Sequence, residues 1–172
     1  MIRCVIFDWS GTLAKAGKRE IFLYGDDSQR LSVLYPDVLA TLRKLKHRGY
    51  LLGIISNTRH SSESMDDAMI STGLDAYFDF VILSSQSHLC RKPCHDIFWE
   101  AIRLLDFEYL PEEILYVGNN FQRDIIGASK MGFHTAHVER PKNAGRRAVT
   151  ATRGAPPTYW ISDIHQLLEF LL

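Results

Sequence analysis

Asp8 stands at a position in this sequence where a carboxylate can do chemistry. It follows the near-continuous apolar run 2–7 and leads into Gly11 and Thr12, which are typical of a tight turn. A carboxylate there can cap the turn, or it can act as a nucleophile and metal ligand that points into a crevice. The other polar groups of the chain decide between these two interpretations.

Three further polar groups follow apolar runs or open helical segments. In a doubly wound parallel sheet, ligands bind beyond the carboxyl ends of the strands. We therefore expect these groups to meet Asp8 in one crevice. They are Ser56-Asn57-Thr58, Lys92-Pro93, and Gly118-Asn119-Asn120 with Asp124.

This combination of residue types suits phosphoryl transfer. A carboxylate can attack phosphorus and form an aspartyl-phosphate. The phosphoryl charge must be neutralised by a metal ion and by a fixed cation such as Lys92. A hydroxyl and backbone N–H groups at a strand-to-helix turn, as at Ser56 and Asn57, can hold the remaining oxygens.

The elements that position these groups follow from hydrophobic patterning. Short apolar runs alternate with segments of helical period, which predicts an α/β fold built on a doubly wound parallel sheet. Predicted strands cover residues 2–7, 50–55, 78–83, 114–117 and 133–138, with an edge strand at 159–161. Predicted helices cover 36–48, 61–72, 95–105, 121–131 and 163–172.

Bulk composition narrows the function classes. The 172 residues are expected to form one domain, with a flexible loop at about 139–157 that is rich in Arg, Gly, Ala and Pro. Lys+Arg and Asp+Glu number 20 each, so no global field attracts nucleic acid, and the basic stretch 140–153 is expected to be a solvated loop. No apolar run reaches the ~18 residues of a membrane span.

The cysteines bear on compartment and metal binding. Cys4, Cys90 and Cys94 are an odd number in a chain long enough to bury its own core, which favours a reducing, cytoplasmic location. His88, Cys90, Cys94 and His95 could form a zinc cluster, but the spacing is not Cys-x₂-Cys. The same loop must deliver Lys92 to the crevice, so packing of the loop is the favoured interpretation.

The polar groups also carry a family resemblance. The segments DWSGTL, SNT, RKP and VGNNFQRDIIGASKMGF occur in the order of the four motifs of the haloacid dehalogenase (HAD) superfamily. The linking segments YPDVLATLRKLKHRGYLLGIISN and KPCHDIFWEAIRLL are similar to that family as well. The resemblance runs from residue 2 to about 168 and implies a Rossmann-like core and a Mg²⁺-dependent phosphatase with a phospho-aspartyl intermediate.

The resemblance also implies roles for particular residues. Asp8 would be the nucleophile and a Mg²⁺ ligand, and the carbonyl of Ser10 a second ligand. Asn119 and Asp124 would complete the metal shell. Lys92 would pair with Asp8 and with phosphate. The expected substrate-binding residues are Gly11, Ser56, Asn57 and Lys92.

Two positions depart from the usual pattern of the family. Most HAD phosphatases have a second Asp two residues after the nucleophile, which protonates the leaving group, and here that residue is Ser10. Asn119 stands where an Asp normally begins the fourth motif, so it offers Mg²⁺ an oxygen without charge. These departures leave open a rival function, a phosphate-binding or regulatory protein of the same fold with little turnover.

The insertions typical of larger family members are short here. About twenty residues separate Leu13 from Pro36, too few for the helical cap that supplies the Schiff-base lysine of phosphonoacetaldehyde hydrolases or the halide-binding Arg of dehalogenases. A single domain without a substantial cap leaves the crevice open. That suits a phosphorylated small molecule or a macromolecular phosphoester, or it requires a second subunit of a homo-oligomer as cover.

Overall fold

Parallel strands form the central sheet of the molecule. The computed structural model describes residues 1–21, 30–59, 61–86, 89–106, 108–140 and 156–171. Within them the strands are β1 Cys4–Phe7, β2 Ala14–Ile21, β3 Arg30–Leu34, β4 Leu51–Ser56, β5 Phe80–Leu83, β6 Ile114–Gly118, β7 His134–Val138 and β8 Tyr159–Ile161. The sheet order is β5-β4-β1-β6-β7-β8, and every pairing in it is parallel.

Helices cover both faces of this sheet. They are α1 Val38–His47, α2 Ser62–Thr72, α3 His95–Leu104, α4 Gly127–Ser129 and α5 Leu167–Leu171, with 3₁₀ turns at Pro111–Glu113 and Ile164–Gln166. Val5 and Phe7 of β1 face one apolar core with Leu42 of α1, while Ile6 faces a second core with Phe98 of α3. Strand β1 is fully buried because it lies between these cores, as an unbroken apolar run predicts. The doubly wound α/β fold expected from the sequence is therefore confirmed.

An antiparallel ribbon of β2 and β3 lies between the turn after β1 and helix α1. No strands were predicted there, and α2 packs against β3. The pairing follows a register shift between Ala14 and Arg19, so the segment does not show the plain alternation that indicates a strand. In the described part of this insertion the chain forms a ribbon rather than a helical cap.

The predicted helix 121–131 differs from the observed structure. Residues Phe121–Ile126 form a π-helical turn, and only Gly127–Ser129 continue as α4. Asn120 accepts a hydrogen bond from the Arg123 amide through its side chain, and the Asp124 carboxylate accepts one from the Asn120 amide. These bonds wind the turn around Asp124, and π-helical turns occur often at functional sites.

Two expectations about charged and polar segments were wrong in part. Arg140, which opens the stretch expected to be solvated, is only 2% exposed, because it pairs with Asp37. The cysteines were expected to indicate a reducing environment. Cys90 and Cys94 are instead joined by a disulfide, while Cys4 is a buried free thiol. Residues 141–155 of the predicted loop, and His88 of the candidate zinc cluster, lie outside the described residues. No helix in the described ranges is long and apolar enough to cross a membrane.

Candidate active site

The polar groups meet at the carboxyl edge of the sheet. Asp8 is the first residue after β1, and its amide donates a hydrogen bond of 2.9 Å to the carbonyl of Val117 in β6. Strand β4 pairs with β1 on the other side and ends at Ser56. Ser56 is buried, with 3% of its surface exposed. Adjacent strand ends thus bring Ser56, Asp8 and the loop after Gly118 together, as parallel topology requires.

Lys92 lies at the centre of this site between two carboxylates. Its Nζ is 2.7 Å from Oδ1 of Asp8 and 2.7 Å from Oδ1 of Asp124, and it donates to the carbonyl of Ile55 at 2.8 Å. All three charged residues are buried. The buried triad therefore carries two carboxylates and one ammonium group.

The electrostatics of the triad favour a further cation. Burial alone would lower the pKa of Lys92, but the carboxylates of Asp8 and Asp124 outweigh it and raise that pKa. Burial raises the pKa of Asp8 to about 6; Lys92 opposes this shift and the charge of Asp124 adds to it. With both carboxylates ionised, the triad keeps one negative charge that a bound cation would neutralise.

Tyr116 is a member of the site that the sequence did not reveal. Its hydroxyl accepts a hydrogen bond of 2.7 Å from Nζ of Lys92 and lies 3.2 Å from the carbonyl of Ile55. Burial, together with the charges of Asp124 and Asp8, raises the pKa of Tyr116, so the hydroxyl keeps its proton. A tyrosine inside an otherwise apolar strand was the available signal, because a buried tyrosine hydroxyl normally has a polar partner.

The turn after Asp8 is held by its own backbone. The carbonyl of Trp9 accepts hydrogen bonds from the amides of Thr12, Leu13 and Ala14. The hydroxyl of Thr12 donates to Oδ2 of Asp8 at 3.2 Å, which fixes the second oxygen of the carboxylate. The turn therefore orients Asp8 before any ligand binds.

Gly11 and Asn119 lie against each other in this turn. Gly11 has a φ of 87°, and a Cβ placed on it would come within 2.2 Å of Nδ2 of Asn119. A residue with a side chain would thus be strained and would displace Asn119. Asn119 is held beside the turn that carries Asp8. Ser10, the residue before Gly11, has an exposed side chain.

The loop that presents Lys92 is anchored by Asn57. The Asn57 side chain accepts a hydrogen bond from the Lys92 amide at 2.8 Å and donates to the Lys92 carbonyl at 3.0 Å. The disulfide between Cys90 and Cys94 closes the same loop on both sides of Lys92. The amide side chain of Asn57 is thus engaged with this loop, and its backbone N–H is the group left as a candidate phosphate donor.

The donor set fits Mg²⁺. Asp8, Asp124 and Asn119 offer carboxylate and amide oxygens at this edge of the sheet. The carbonyl of Ser10 stays an expected further ligand. Mg²⁺ prefers hard oxygen ligands of this kind. The buried excess of negative charge at the triad is an independent reason for a cation at this place.

Comparison with known proteins shows the family to which this fold belongs. The family model described as haloacid dehalogenase-like hydrolase matches residues 18–138 of the chain. The chain belongs to this family. The match covers more than half of the sequence, and the six-stranded parallel sheet agrees with it.

Relatives of this HAD family chain include named phosphatases. It is 34% identical over 137 residues to a glyceraldehyde 3-phosphate phosphatase of Methanothermobacter thermautotrophicus. This alignment covers 80% of this chain and 58% of the relative. It is 35% identical over 121 residues to a phosphoglycolate phosphatase of Pasteurella multocida. This alignment covers 69% of this chain and 50% of the relative. The chain thus spans roughly half the length of these relatives.

A solved structure supports the fold over nearly the whole chain. The crystal structure of an uncharacterized protein from Listeria monocytogenes serotype 4b superposes with a TM-score of 0.77 at 27% identity. The superposition covers 99% of this chain and 97% of the Listeria chain. The HAD fold is therefore matched at full length by a protein of similar size.

Proposed function

We propose that this chain is a Mg²⁺-dependent phosphatase that hydrolyses a phosphomonoester through a phospho-aspartyl intermediate on Asp8. The observation that carries the proposal is the buried triad, in which Lys92 contacts both Asp8 and Asp124 at the end of the central strand. The named activities of the phosphatase relatives support it.

In the first half-reaction, a carboxylate oxygen of Asp8 attacks phosphorus and the P–O bond to the leaving group breaks. The leaving oxygen takes up a proton from solvent water, because Ser10 supplies no carboxylic acid. Lys92 neutralises phosphoryl charge, while the Ser56 hydroxyl and the backbone N–H of Asn57 hold phosphoryl oxygens. The N–H of Gly11, expected from the sequence to bind substrate, donates instead to the carbonyl of Ala14 at 2.6 Å. In the second half-reaction, the oxygen of water attacks phosphorus and the P–O bond to Asp8 breaks. Inorganic phosphate leaves, a proton passes to solvent, and the Asp8 carboxylate is regenerated.

Mg²⁺ would be held by Asp8, the Ser10 carbonyl, Asn119 and Asp124. When bound, it supplies positive charge that offsets the repulsion between the carboxylates and the incoming phosphoryl group. Thr12 keeps the attacking carboxylate oriented through its hydrogen bond to Oδ2 of Asp8.

The substrate class proposed here is a phosphorylated small molecule, as the names of the relatives suggest. A macromolecular phosphoester is the alternative, because the described insertion after β1 is a ribbon rather than a helical cap. The disulfide between Cys90 and Cys94 removes the cysteine argument for a cytoplasmic location. A homo-oligomer remains one way to cover the crevice.

A second candidate function is a phosphate-binding protein with little turnover. It is favoured by Ser10, whose exposed hydroxyl replaces the usual acid, and by the uncharged Asn119. The intact triad favours the enzyme, since binding without chemistry does not require a nucleophile in contact with a lysine.

Replacement of Asp8 by Asn tests the phosphatase directly. We expect Asp8→Asn to lower turnover of an aryl phosphate in saturating Mg²⁺ by at least ~10³-fold, because the neutral amide cannot attack phosphorus. Circular dichroism checks that the variant is folded, and Asp66→Asn, an exposed carboxylate on α2, is the matched control. Parental turnover in Asp8→Asn would exclude Asp8 as nucleophile, and no turnover in the parent would favour the binding protein.

A further inference from the structure

Arg140 is a buried cation that lies behind the turn carrying Asp8. Its Nη1 donates to both carboxylate oxygens of Asp37 at 2.8 Å, and its Nη2 donates to the carbonyl of Thr12 at 2.6 Å. The guanidinium carbon lies 4.0 Å from the centre of the Tyr35 ring. The side chain therefore joins the end of β7, the start of α1 and the turn after β1.

The contact with Thr12 connects Arg140 to Asp8. Thr12 is fully buried, and its hydroxyl donates to Oδ2 of Asp8 while its carbonyl accepts from Arg140. A shift of the Thr12 backbone would therefore move the hydroxyl that orients the carboxylate. Two hydrogen bonds separate the guanidinium group from the candidate nucleophile.

Asp37 is itself fixed from two sides. It precedes α1, and its Oδ2 also accepts a hydrogen bond of 2.7 Å from the amide of Ile164. Because the Asp37 carboxylate is held by a second contact, it fixes the orientation of the Arg140 guanidinium. Arg140, Asp37 and Thr12 form a connection, here called the Arg140 strap, between the C-terminal segment and the turn.

A buried ion pair of this kind is a costly way to obtain stability, because both charges lose their hydration and an apolar pair often packs as well. What the planar guanidinium adds is direction, since it can bind a carboxylate and a carbonyl at fixed angles. The strap is therefore better explained by the position it imposes on Thr12 than by stability alone.

We propose that Arg140 is a positioning residue that holds Thr12, and through Thr12 the carboxylate of Asp8, in place for attack on phosphorus. The claim that Arg140 fixes the position of the turn stands on the contacts described here. The claim that this position promotes attack on phosphorus, the catalytic part, rests on the phosphatase function proposed above. The strap does not touch substrate and acts only through Thr12.

Steady-state kinetics test the catalytic part. Arg140→Met should lower kcat on an aryl phosphate about 10- to 100-fold, because small displacements of a reacting group have effects of this size. KM should change less than about threefold, since the phosphate contacts remain. Lys46→Met is the matched control: Lys46 forms an ion pair with Asp79 away from the site, and its loss should leave kcat unchanged.

A double-mutant cycle tests the route through Thr12. Thr12→Val removes the hydroxyl bonded to Asp8 and keeps the side-chain shape. If Arg140 acts through Thr12, the double variant Arg140→Met with Thr12→Val should be only slightly slower than the slower single variant. Effects on kcat that multiply would show that Arg140 acts by another route, which would overturn the proposal.

Hydrogen exchange tests the position of the turn without relying on activity. The amides of residues 11–14 are bonded within the turn, so Arg140→Met should accelerate exchange of a peptide covering 9–14 at least about threefold. Thr12→Val, which keeps the carbonyl bonded to Arg140, should exchange at nearly the parental rate. Parental exchange in Arg140→Met would overturn the proposal.

The two readouts separate failure of the strap from failure of the phosphatase function. If the parent hydrolyses no phosphoester, the proposed function fails, and the exchange rates of the turn still decide whether the strap positions it. If Arg140→Met does not fold, Arg140→Lys replaces it, because lysine lacks the planar fork that directs separate N–H groups at Asp37 and at Thr12. Parental kcat and parental exchange in Arg140→Lys would exclude the proposal.

Discussion

At the residue scale, the centre of the site is a lysine surrounded by more acceptors than it has protons. Nζ of Lys92 lies within 2.8 Å of oxygens from Asp8, Asp124, Ile55 and Tyr116. An ammonium group has three protons to donate, so these contacts compete. A phosphoryl group or a cation that draws one carboxylate away would leave Lys92 fully bonded. Lys92 can therefore exchange one hydrogen-bond acceptor for another during a reaction.

Ser10 is the residue at which the proposed chemistry is weakest, and replacing it by Asp is a sharp test. We expect Ser10→Asp to raise kcat about 10-fold in saturating Mg²⁺, because a carboxylic acid can protonate the leaving oxygen and then activate water. The gain should be larger for an alkyl phosphate than for an aryl phosphate, since the alkyl leaving group needs the proton more. Steady-state rates across pH measure both.

Two comparisons make the Ser10 test specific. Ser62→Asp adds the same charge at an exposed position that begins α2, and it should leave both rates unchanged. An equal gain for alkyl and aryl phosphates would point to an effect on metal or charge rather than on proton transfer. Absence of any gain would favour the binding-protein function.

At the scale of elements, the edge formed by β7 and β8 carries a stacked cluster of rings. The ring of His137 lies 4.9 Å from that of Trp160 and 5.8 Å from that of Phe121. His137 pairs in register with Gly118 at the end of β6, next to the candidate metal ligands of the fourth motif. This cluster closes one end of the sheet beside the site.

Replacing His137 by Phe should change how stability depends on pH. Burial lowers the pKa of His137 below its ordinary 6.5, although Glu139 and Asp124 oppose the shift. Below pH 6.5 the unfolded chain then binds more protons at this residue than the folded protein does, so its contribution to stability is lost as pH falls. His137→Phe should remove that part of the decline, measured as unfolding free energy at pH 7.5, 6.5 and 5.5.

A gain at pH 7.5 is also expected from His137→Phe. Among the described residues, Nδ1 of His137 is a buried atom without a hydrogen-bond partner. Removing it while keeping an aromatic ring should raise the unfolding free energy by about 1 kcal/mol. His165→Gln, at an exposed position, is the control. If His137→Phe keeps the parental slope between pH 6.5 and 5.5, burial of His137 is not the cause of the decline.

At the scale of the whole molecule, the candidate metal site predicts stabilisation by Mg²⁺. A ligand that binds only the folded state raises the unfolding free energy, by about 1.4 kcal/mol at ten times its dissociation constant. MgCl₂ should therefore raise the unfolding temperature relative to NaCl of equal ionic strength, and a chelator should reverse it. Asp8→Asn should weaken the effect, because one carboxylate ligand is lost.

Asn119→Asp sharpens this metal test. Asp has nearly the shape of Asn, so it fits against Gly11, and its charge should move the stabilisation to lower Mg²⁺ concentrations. If neither the parent nor Asn119→Asp responds to Mg²⁺, these residues do not form a metal site. A response in the parent that Asn119→Asp leaves unchanged would place Asn119 outside the metal shell.

The sequence by itself determined the fold class and the edge of the sheet at which the polar groups meet. Both depend on local information: apolar runs predict buried strands, helical periodicity predicts the covering helices, and parallel strands share one carboxyl edge. Asp8, Lys92 and Asp124 could be named as neighbours for this reason, although they lie far apart in the chain. The residue roles assigned from resemblance stay predictions.

Only the tertiary structure decided which side chains hold that site together. Arg140 looked like part of a solvated basic loop, and its partner Asp37 lies 103 residues away in the chain. Tyr116 looked like one more apolar residue of β6 until Lys92 was found against its hydroxyl. Hydrophobic periodicity reports which face of an element is buried, but not which buried polar atoms meet across elements. That pairing is settled by packing geometry and by the need of each buried polar group for a partner.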